Sequence, residues 1–385
     1  MATRKPISLI KSDDHLSQTW PDEPNRFSDE HIDAFLLWCV KQSSSDVTFQ
    51  TDRPVYNDIH GTLYPGTQRA LDAADMAIVL QKIYGPEAQA RLASAKDLDI
   101  SYEIRPDRYT RIRFRVNITA VLSKGRDSAQ VTMRVLPSEP PKFADLGIEQ
   151  EIIDNWAPRQ GMVIITGPTG SGKTTLLAAG NRMLLERAGG CGKMLTYEAP
   201  IEFVYDAIKS PRSLVAQSEI PRHLPNFAHG VRNALRRKPE VIMVGEARDR
   251  ETIDAAIEAA QTGHAVYTTT HTTGVAATVQ RMISTYSMDE REERAIAMME
   301  TLRLIVTQAL APRIGGGRVG VREWMMFPDQ VREKLMDMSF TEWPTEIQRM
   351  ISQYGQTMEK SAEIVFEEGK IDRRHYLLLS SSTGA

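Results

Sequence analysis

The residues of this chain that most clearly indicate chemistry are Gly-Pro-Thr-Gly-Ser-Gly-Lys-Thr at positions 167–174. They fill every fixed position of the pattern G-x-x-x-x-G-K-[ST], in which glycines let backbone N–H groups surround phosphate oxygens. Lys173 would reach the β- and γ-phosphates of a nucleotide, and the hydroxyl of Thr174 would hold a magnesium ion. The residues that we expect to contact the phosphates are Gly167, Pro168, Thr169, Gly170, Ser171, Gly172, Lys173, Thr174 and Thr175.

The segments on either side of this loop have the character that the motif requires. Residues 162–166 are short, apolar and rich in strand-forming types, and residues 174–186 are typical of a helix. The order strand, loop, helix places the positive end of the helix dipole against the phosphates. The alternative is a glycine-rich turn that binds nothing, but both flanks are correct for the motif. The sequence thus predicts a site for a nucleoside triphosphate with Mg²⁺.

A second segment, residues 241–249, places a carboxylate where such a site needs one. Four apolar residues, Val-Ile-Met-Val, lead to Gly245 and then Glu246. An acid at the carboxyl end of a buried strand can face the magnesium ion and the attacking water. An acid at the end of a strand is common, so its meaning comes from the complete phosphate loop upstream. We therefore assign Thr174 and Glu246 as the candidate metal ligands.

Between these two segments, residues 196–204 carry two further acids. Glu198 and Glu202 are separated by Ala-Pro-Ile, and the Ala-Pro pair prevents a helix and fixes a turn. One of them could polarise the water that attacks the γ-phosphate. Two solvated loop acids are the alternative interpretation.

Histidines and arginines complete the candidate site. His264 precedes and His271 follows the predicted strand 265–269. They could sense the γ-phosphate or orient the metal-bound water, or they could be hydrogen-bonded structural residues. Planar cations are suited to the charge that develops on the γ-phosphate, and the basic residues here could also form an ordinary surface patch. The candidate arginines are Arg222, Arg232 and Arg236.

The whole chain limits the possible classes of protein. It has 385 residues, a net charge of −3 and a pI of about 6.3, so its bulk charge does not indicate a nucleic-acid partner. No apolar run is long enough to span a bilayer, and the first residues lack the apolar core of a secretory signal. Two cysteines, Cys39 and Cys191, fit a reducing compartment, and we expect Cys39 in a core. These features predict a soluble, cytoplasmic protein without direct nucleic-acid binding.

The pattern of apolar residues changes along the chain, which indicates two domains. Residues 28–137 combine helices with alternating strands and predict an α+β domain with an antiparallel sheet. The proline-rich residues 138–144 predict a linker, and residues 145–378 alternate short apolar strands with helices, as in a mainly parallel sheet. After Ser287 we expect three helical stretches. Residues 1–27 are predicted to be flexible and residues 379–385 to be a disordered tail.

The motifs together resemble a known family. The segments GPTGSGKTT, YEAPIEFVY, VIMVGEARD and TGHAVYTTTHT resemble the Walker A, Asp box, Walker B and His box of the secretion ATPases of the pilus-retraction (PilT-like) type. The resemblance extends from about residue 28 to residue 340. It implies a PAS-like N-terminal domain and a RecA-like P-loop ATPase domain, assembled as a homohexameric ring that hydrolyses ATP with Mg²⁺. It also implies that Glu202 is the catalytic base, that Glu246 is the Walker B acid, and that some of the arginines contact phosphates.

Departures from that pattern indicate which branch of the family the chain resembles. Ala199 stands where the Asp box has an aspartate, and Ser218 stands where retraction ATPases have an arginine. Residues 329–335 keep only part of the retraction motors' AIRNLI element. In these features the chain is more similar to the DotB-like ATPases of type IVB secretion and their conjugative, TraJ-like counterparts. This resemblance implies a motor at the cytoplasmic face of the bacterial inner membrane, attached through subunits of the secretion channel.

Two alternatives to this function stay open from the sequence. A pilus retraction motor would be the same class of enzyme working on a different load. A nucleotide-gated docking subunit with negligible turnover is suggested by Ala199 and Ser218, because each stands where the family pattern has a charged residue.

Overall fold

The computed structural model of the chain describes residues 19–108, 110–137 and 139–381. Residues 1–18 and 382–385, for which flexibility was predicted, lie outside the described residues. The chain divides into two compact units, Met1–Ser138 and Glu139–Ala385.

The first unit is an antiparallel sheet with three helices. Its six strands are in the order β3-β2-β1-β6-β5-β4, and every neighbouring pair is antiparallel. The core lies between this sheet and the helices, and it includes Cys39, as expected from its apolar neighbours. The elements are α1 (Asp29–Lys41), β1 (Asp46–Gln50), β2 (Tyr56–Ile59), β3 (Thr62–Pro65), α2 (Ala73–Ile83), α3 (Ala88–Ala93), β4 (Leu98–Ile104), β5 (Ile112–Ser123) and β6 (Arg126–Leu136).

The predicted flexibility of residues 1–27 is wrong for residues 19–27. Trp20 and Phe27 are 4% and 2% exposed and pack in the core of the first unit. The carboxylate of Glu23 accepts hydrogen bonds from the backbone N–H groups of Gln68 and Arg69. Polar composition and prolines suggested mobility, but two aromatic side chains bury enough apolar area to fix this segment.

The second unit contains an eight-stranded, mainly parallel sheet. Its strands are in the order β14-β13-β12-β7-β11-β10-β8-β9. The six strands from β12 to β9 are parallel, and β13 and β14 add antiparallel pairs at one edge. The elements are α4 (Phe143–Leu146), α5 (Gln150–Asn155), β7 (Gly161–Thr166), α6 (Lys173–Glu186), β8 (Gly192–Glu198), β9 (Ser213–Glu219), α7 (Phe227–Leu235), β10 (Val241–Val244), α8 (Arg250–Gln261), β11 (Ala265–Thr269), α9 (Val275–Ile283), α10 (Arg291–Thr301), β12 (Leu302–Pro312), β13 (Arg318–Met326), α11 (Asp329–Met336), α12 (Trp343–Tyr354), β14 (Gly355–Gln356), α13 (Met358–Glu367) and α14 (Arg373–Ser381).

Helices cover both faces of this sheet. Alternate residues of the fully buried strand β7 contribute to two separate core clusters, with Met162 and Ile164 in one and Val163 and Ile165 in the other. Such burial on both faces explains why the strand reads as a continuous apolar run. The predicted fold class, an antiparallel α+β domain followed by a mainly parallel α/β domain, is confirmed.

The C-terminal part of the second unit differs from the expected three helical stretches. Helix α10 is followed directly by the long strands β12 and β13, which form an antiparallel hairpin, and then by four helices. The predicted tail is also shorter than expected, because α14 extends to Ser381 and Leu379 packs against an apolar cluster. Within the described residues, every helix is too short or too polar to cross a membrane.

Candidate functional site

The phosphate loop connects β7 to α6 and takes the shape that its glycines allow. Gly167, Gly170 and Gly172 have φ angles of 139°, 79° and 81°. This is a backbone region that side chains with a Cβ rarely adopt. Pro168, Thr169 and Gly170 are exposed at the tip of the loop, so they are open to a ligand.

Lys173 is the first residue of α6, and its side chain is buried beneath the loop. Its Nζ donates to the carbonyl oxygens of Gly167 at 2.8 Å and Pro168 at 3.0 Å. Burial lowers the pKa of Lys173, and the negative charge of Glu246 opposes that shift. The ammonium group is thus held at the inner side of the loop, near the position at which a β- or γ-phosphate would bind.

His271 connects this lysine to the acid of the predicted Walker B segment. Its Nδ1 lies 3.3 Å from Lys173 Nζ, and its Nε2 lies 3.3 Å from an oxygen of Glu246. His271 follows β11 and Glu246 follows β10, so both lie at the carboxyl edge of the parallel sheet. The structure therefore brings Lys173, His271 and Glu246 together, although they are far apart in the sequence.

These positions are suitable for a magnesium ion shared with a nucleotide. Thr174 lies half-buried in the first turn of α6, and Glu246 is half-buried at the sheet edge. Hydroxyl and carboxylate oxygens are the ligands that Mg²⁺ prefers, and the ion usually takes the rest of its shell from phosphates and water. Among residues 19–108, 110–137 and 139–381, no cluster of three His, Cys, Asp or Glu side chains could hold a metal alone. A magnesium ion held by Thr174 and Glu246, with phosphate oxygens as further ligands, would agree with this finding.

A small cavity lies beside Glu246. Its volume is about 220 Å³, and its lining includes Glu246, His271 and Thr270 together with Arg248 and Arg281. Arg281 lies on α9 and belongs to no motif, so the sequence analysis did not select it. The cavity gives the acid access to water and places cations close to it.

His264 is not brought to this group. It precedes β11, and its Nδ1 lies 2.9 Å from the carbonyl oxygen of Ala259 at the end of α8. Its own carbonyl accepts from the N–H of Gly161, at the amino edge of the sheet. The five residues of β11 separate it from the phosphate-loop edge by about 17 Å, from the rise per residue of a strand. Of the two interpretations, a structural histidine agrees with this position, and a direct catalytic role within one chain does not.

The two acids of the predicted Asp box differ in their surroundings. Glu198 is 4% exposed, and its carboxylate accepts hydrogen bonds from Thr196 Oγ1 at 2.6 Å and Gln217 Nε2 at 3.0 Å. Glu202 is half-buried in the loop after β8. Strand β8 is three places from β7 in the sheet, or about 14 Å at the usual strand spacing. Glu198 is therefore buried and held by two hydrogen bonds, and Glu202 is the more exposed of the two acids.

A third acid at this edge was not predicted. Glu219 ends β9, pairs in register with Glu198, and is 1% exposed. Its carboxylate accepts from the N–H of Ile201, so it holds the loop that carries Glu202. Strand β9 is half polar and was not recognised, which is why the residue at its end was missed.

The three candidate arginines lie on the surface of the second unit. Arg222 follows β9, Arg232 is on α7, and Arg236 is the residue that ends this helix. All three side chains are exposed, and within the part of the chain that the structure describes they form no ion pair. The structure does not bring any of them to Lys173 of the same chain.

Comparison with known proteins agrees with this site. A family model described as "Type II/IV secretion system protein" matches residues 25–316. The chain is 30% identical to the type IV pilus retraction ATPase PilT of Pseudomonas aeruginosa over 89% of this chain and 96% of that protein. It is 34% identical to a twitching motility protein of Neisseria gonorrhoeae over 81% of this chain and 80% of that protein.

Solved structures give a further similarity. The crystal structure of the Legionella pneumophila ATPase DotB is 46% identical with a TM-score of 0.90, covering 95% of this chain and 99% of that one. The structure of the pilus retraction motor PilT with bound ADP is 27% identical with a TM-score of 0.79, covering 91% and 96%. The resemblance to these ATPases, in both fold and sequence, is confirmed. The chain belongs to the Type II/IV secretion system protein family, and it is an ATP hydrolase of that family.

Proposed function

We propose that this chain is the Mg²⁺-dependent ATPase motor of a type IVB secretion or conjugative transfer system. The observation that carries the proposal is the similarity to DotB, which extends over nearly the whole of both chains at 46% identity. Similarity to the retraction ATPases covers slightly less of the chain, 89–91%, at lower identity. The departures at Ala199 and Ser218 point in the same direction.

The chemistry follows from the arrangement of the site. Lys173 and the loop N–H groups would bind the β- and γ-phosphates, and Thr174 and Glu246 would hold Mg²⁺, which offsets charge on the transferred phosphoryl group. Glu202 would orient the attacking water, since Glu198 is already engaged by two donors. His271 lies between the lysine and the acid, where it can report on the presence of the γ-phosphate. Positioning and electrostatics then supply most of the rate enhancement.

A ring of identical subunits accounts for the exposed arginines. A ring has head-to-tail interfaces, so a surface of one subunit faces a different surface of the next. Arg222, Arg232 and Arg236 would then meet the γ-phosphate of a neighbouring subunit, where a planar cation stabilises developing charge. We infer a homohexamer, docked through channel subunits at the cytoplasmic face of the inner membrane.

The first test is steady-state ATPase activity measured against protein concentration, with ring formation followed by light scattering. Activity per subunit should rise as rings form. In a mixture of Lys173→Ala and Arg232→Ala proteins, each inactive alone, activity should partly return, because about one interface in four then carries both intact residues. Unchanged activity per subunit through ring formation would contradict a site completed between subunits.

A second test separates secretion from pilus retraction, which the similarity to PilT favours as the alternative load. The chain would replace DotB in Legionella pneumophila and PilT in Pseudomonas aeruginosa, with Lys173→Ala as the inactive control. Restored protein translocation in the first strain and no restored twitching in the second is the expected result. The reverse pattern would assign the chain to retraction. If neither strain regains function and the purified chain binds ATP without hydrolysing it, a docking subunit would be favoured.

A further inference from the structure

Within the second unit, a line of buried polar side chains runs from the phosphate loop into the interior. Gln308 on β12 donates from Nε2 to the carbonyl oxygen of Ser171, at 2.7 Å. Its Oε1 accepts from Nε of Arg322 on β13, at 2.8 Å. Arg322 in turn donates from Nη1 to a carboxylate oxygen of Glu149, at 3.1 Å. We call Glu149, Arg322 and Gln308 the loop brace.

The bond to Ser171 determines which way a loop N–H group points. In a planar trans peptide, the carbonyl of Ser171 and the N–H of Gly172 point in opposite directions. Because Gln308 holds this carbonyl on the protein side, the N–H of Gly172 is directed away from β12. In a phosphate loop, that is the direction of the bound phosphates.

Arg322 determines which end of the Gln308 amide faces the loop. A guanidinium group has only donors, so the atom of Gln308 that meets it must be the oxygen. The NH₂ group then has to face Ser171. Without the guanidinium group, the amide could also rotate so that its oxygen faces the Ser171 carbonyl and repels it.

The guanidinium group is itself fixed on its other side. Besides Glu149, it donates to the carbonyl oxygens of Gly147 and Leu146, both at 3.2 Å. Arg322 is 3% exposed, and burial lowers its pKa while the charge of Glu149 opposes the shift. A buried cation with this many hydrogen-bond partners has little freedom to move, so it can hold the Gln308 amide in one orientation.

The loop brace packs closely against the phosphate loop. A Cβ at Gly167 would lie 2.2 Å from the carbonyl oxygen of Gln308, and a Cβ at Gly172 would lie 3.0 Å from its Nε2. A Cβ at Gly320 would lie 2.4 Å from a nitrogen of Arg322. Two of the motif's glycines are thus required by the contact with β12 as well as by their φ angles.

We propose that Gln308 is a positioning residue for nucleotide binding, which sets the direction of a phosphate-binding N–H group, and that Arg322 and Glu149 hold it in the required orientation. This inference rests on the nucleotide site of the proposed function and does not depend on the machine that the ATPase drives. None of the three residues belongs to a motif that the sequence analysis selected.

The test compares binding of a fluorescent ADP analogue to full-length variants, with the melting temperature of each. Gln308→Met keeps the side-chain volume and removes both hydrogen bonds, and its dissociation constant should rise about tenfold, as expected for a lost buried hydrogen bond. Arg322→Lys keeps the charge beside Glu149 and frees the amide, so it should weaken binding by a smaller factor. The control is Thr307→Val on the same strand, which removes a buried hydroxyl without a hydrogen-bond partner.

Weaker ADP binding by Gln308→Met than by Thr307→Val, with both variants folded at the assay temperature, supports the positioning role. Wild-type affinity in Gln308→Met, or equal weakening by Thr307→Val, would overturn it. Should Gln308→Met fail to fold, Arg322→Lys is judged by the same comparison with the control. A wild-type protein that binds ADP but never hydrolyses ATP would contradict the proposed motor, and the binding comparison would still be decisive.

Discussion

The two sides of the candidate site are built in different ways. On the phosphate-loop side, His271 contacts both Lys173 and Glu246, and Gln308 donates a hydrogen bond to the loop. On the side of β8, β9 and α7, Glu202 is half-buried and the candidate arginines are exposed. One side is complete within a single chain, whereas the other side presents its functional groups outward.

This difference shows which functions a subunit can perform alone. Under the proposed function, binding the phosphates and the metal uses groups that already lie together at the carboxyl edge of β7, β10 and β11. Hydrolysis would use a positioned water and a cation for the γ-phosphate, and the candidate arginines for that role are exposed on the surface. We therefore expect mutations on the two sides to separate nucleotide binding from turnover.

The largest effect is expected from Lys173→Ala, on the complete side. The variant removes the cation that the loop holds against the phosphates, so both nucleotide affinity and turnover should fall. Loss of one such electrostatic contact slows turnover by about 10²–10³-fold. Binding of a fluorescent ATP analogue and release of phosphate measure the two quantities. Near wild-type affinity in this variant would contradict the assignment of the loop.

The next largest effect is expected from Glu202→Gln, on the outward side. The amide cannot accept a proton from water, so turnover should fall by about 10²–10⁴-fold while ATP affinity stays near that of the wild type. Glu198→Gln is the matched control, because its carboxylate is already occupied by Thr196 and Gln217. It should lower the melting temperature and change turnover less than Glu202→Gln. The opposite ranking would make Glu198 the base.

The same contrast explains what could be predicted from the sequence. The phosphate loop and strands β7, β10 and β11 were recognised because a local motif and short buried apolar runs specify them. Strand β9 was missed because its sequence, SLVAQSE, is half polar. Strand β12 was missed because it follows α10 with no glycine or proline between them, so the apolar pattern reads as one continuous helix.

Contacts between distant residues were also beyond the sequence analysis. Gln308 and Arg322 act through tertiary contacts with a loop more than a hundred residues earlier, and no spacing rule indicates such a pairing. The opposite case is His264, whose motif suggested the site but whose strand places it at the other edge of the sheet. A strand has two ends, and only the end at the carboxyl edge can reach the phosphates.

The smallest effect is expected from Glu323→Gln, in the scaffold behind the complete side. Glu323 is 3% exposed and accepts from the N–H of Val275 at the start of α9, at 2.8 Å. Burial raises its pKa above the ordinary value of 4.5, and the N–H groups of Val275 and Met358 offset only part of that shift. A raised pKa of an acid favours the folded state below the ordinary pKa, and this contribution is lost as the pH rises through the folded-state pKa.

Replacement of Glu323 by neutral glutamine should remove the loss of folding stability that the wild-type protein shows as the pH rises. At pH 7 to 8 the variant should be more stable than the wild type and should melt at a higher temperature, because the cost of burying an ionised carboxylate is removed. The gain should disappear below pH 4.5, where the wild-type carboxyl is also neutral. Glu333→Gln, at an exposed position on α11, is the control and should show no such dependence on pH. A lower melting temperature of the variant at pH 7 would mean that the ionised carboxylate stabilises α9 by more than its burial costs. The scaffold behind the phosphate loop would then depend on the charge of Glu323.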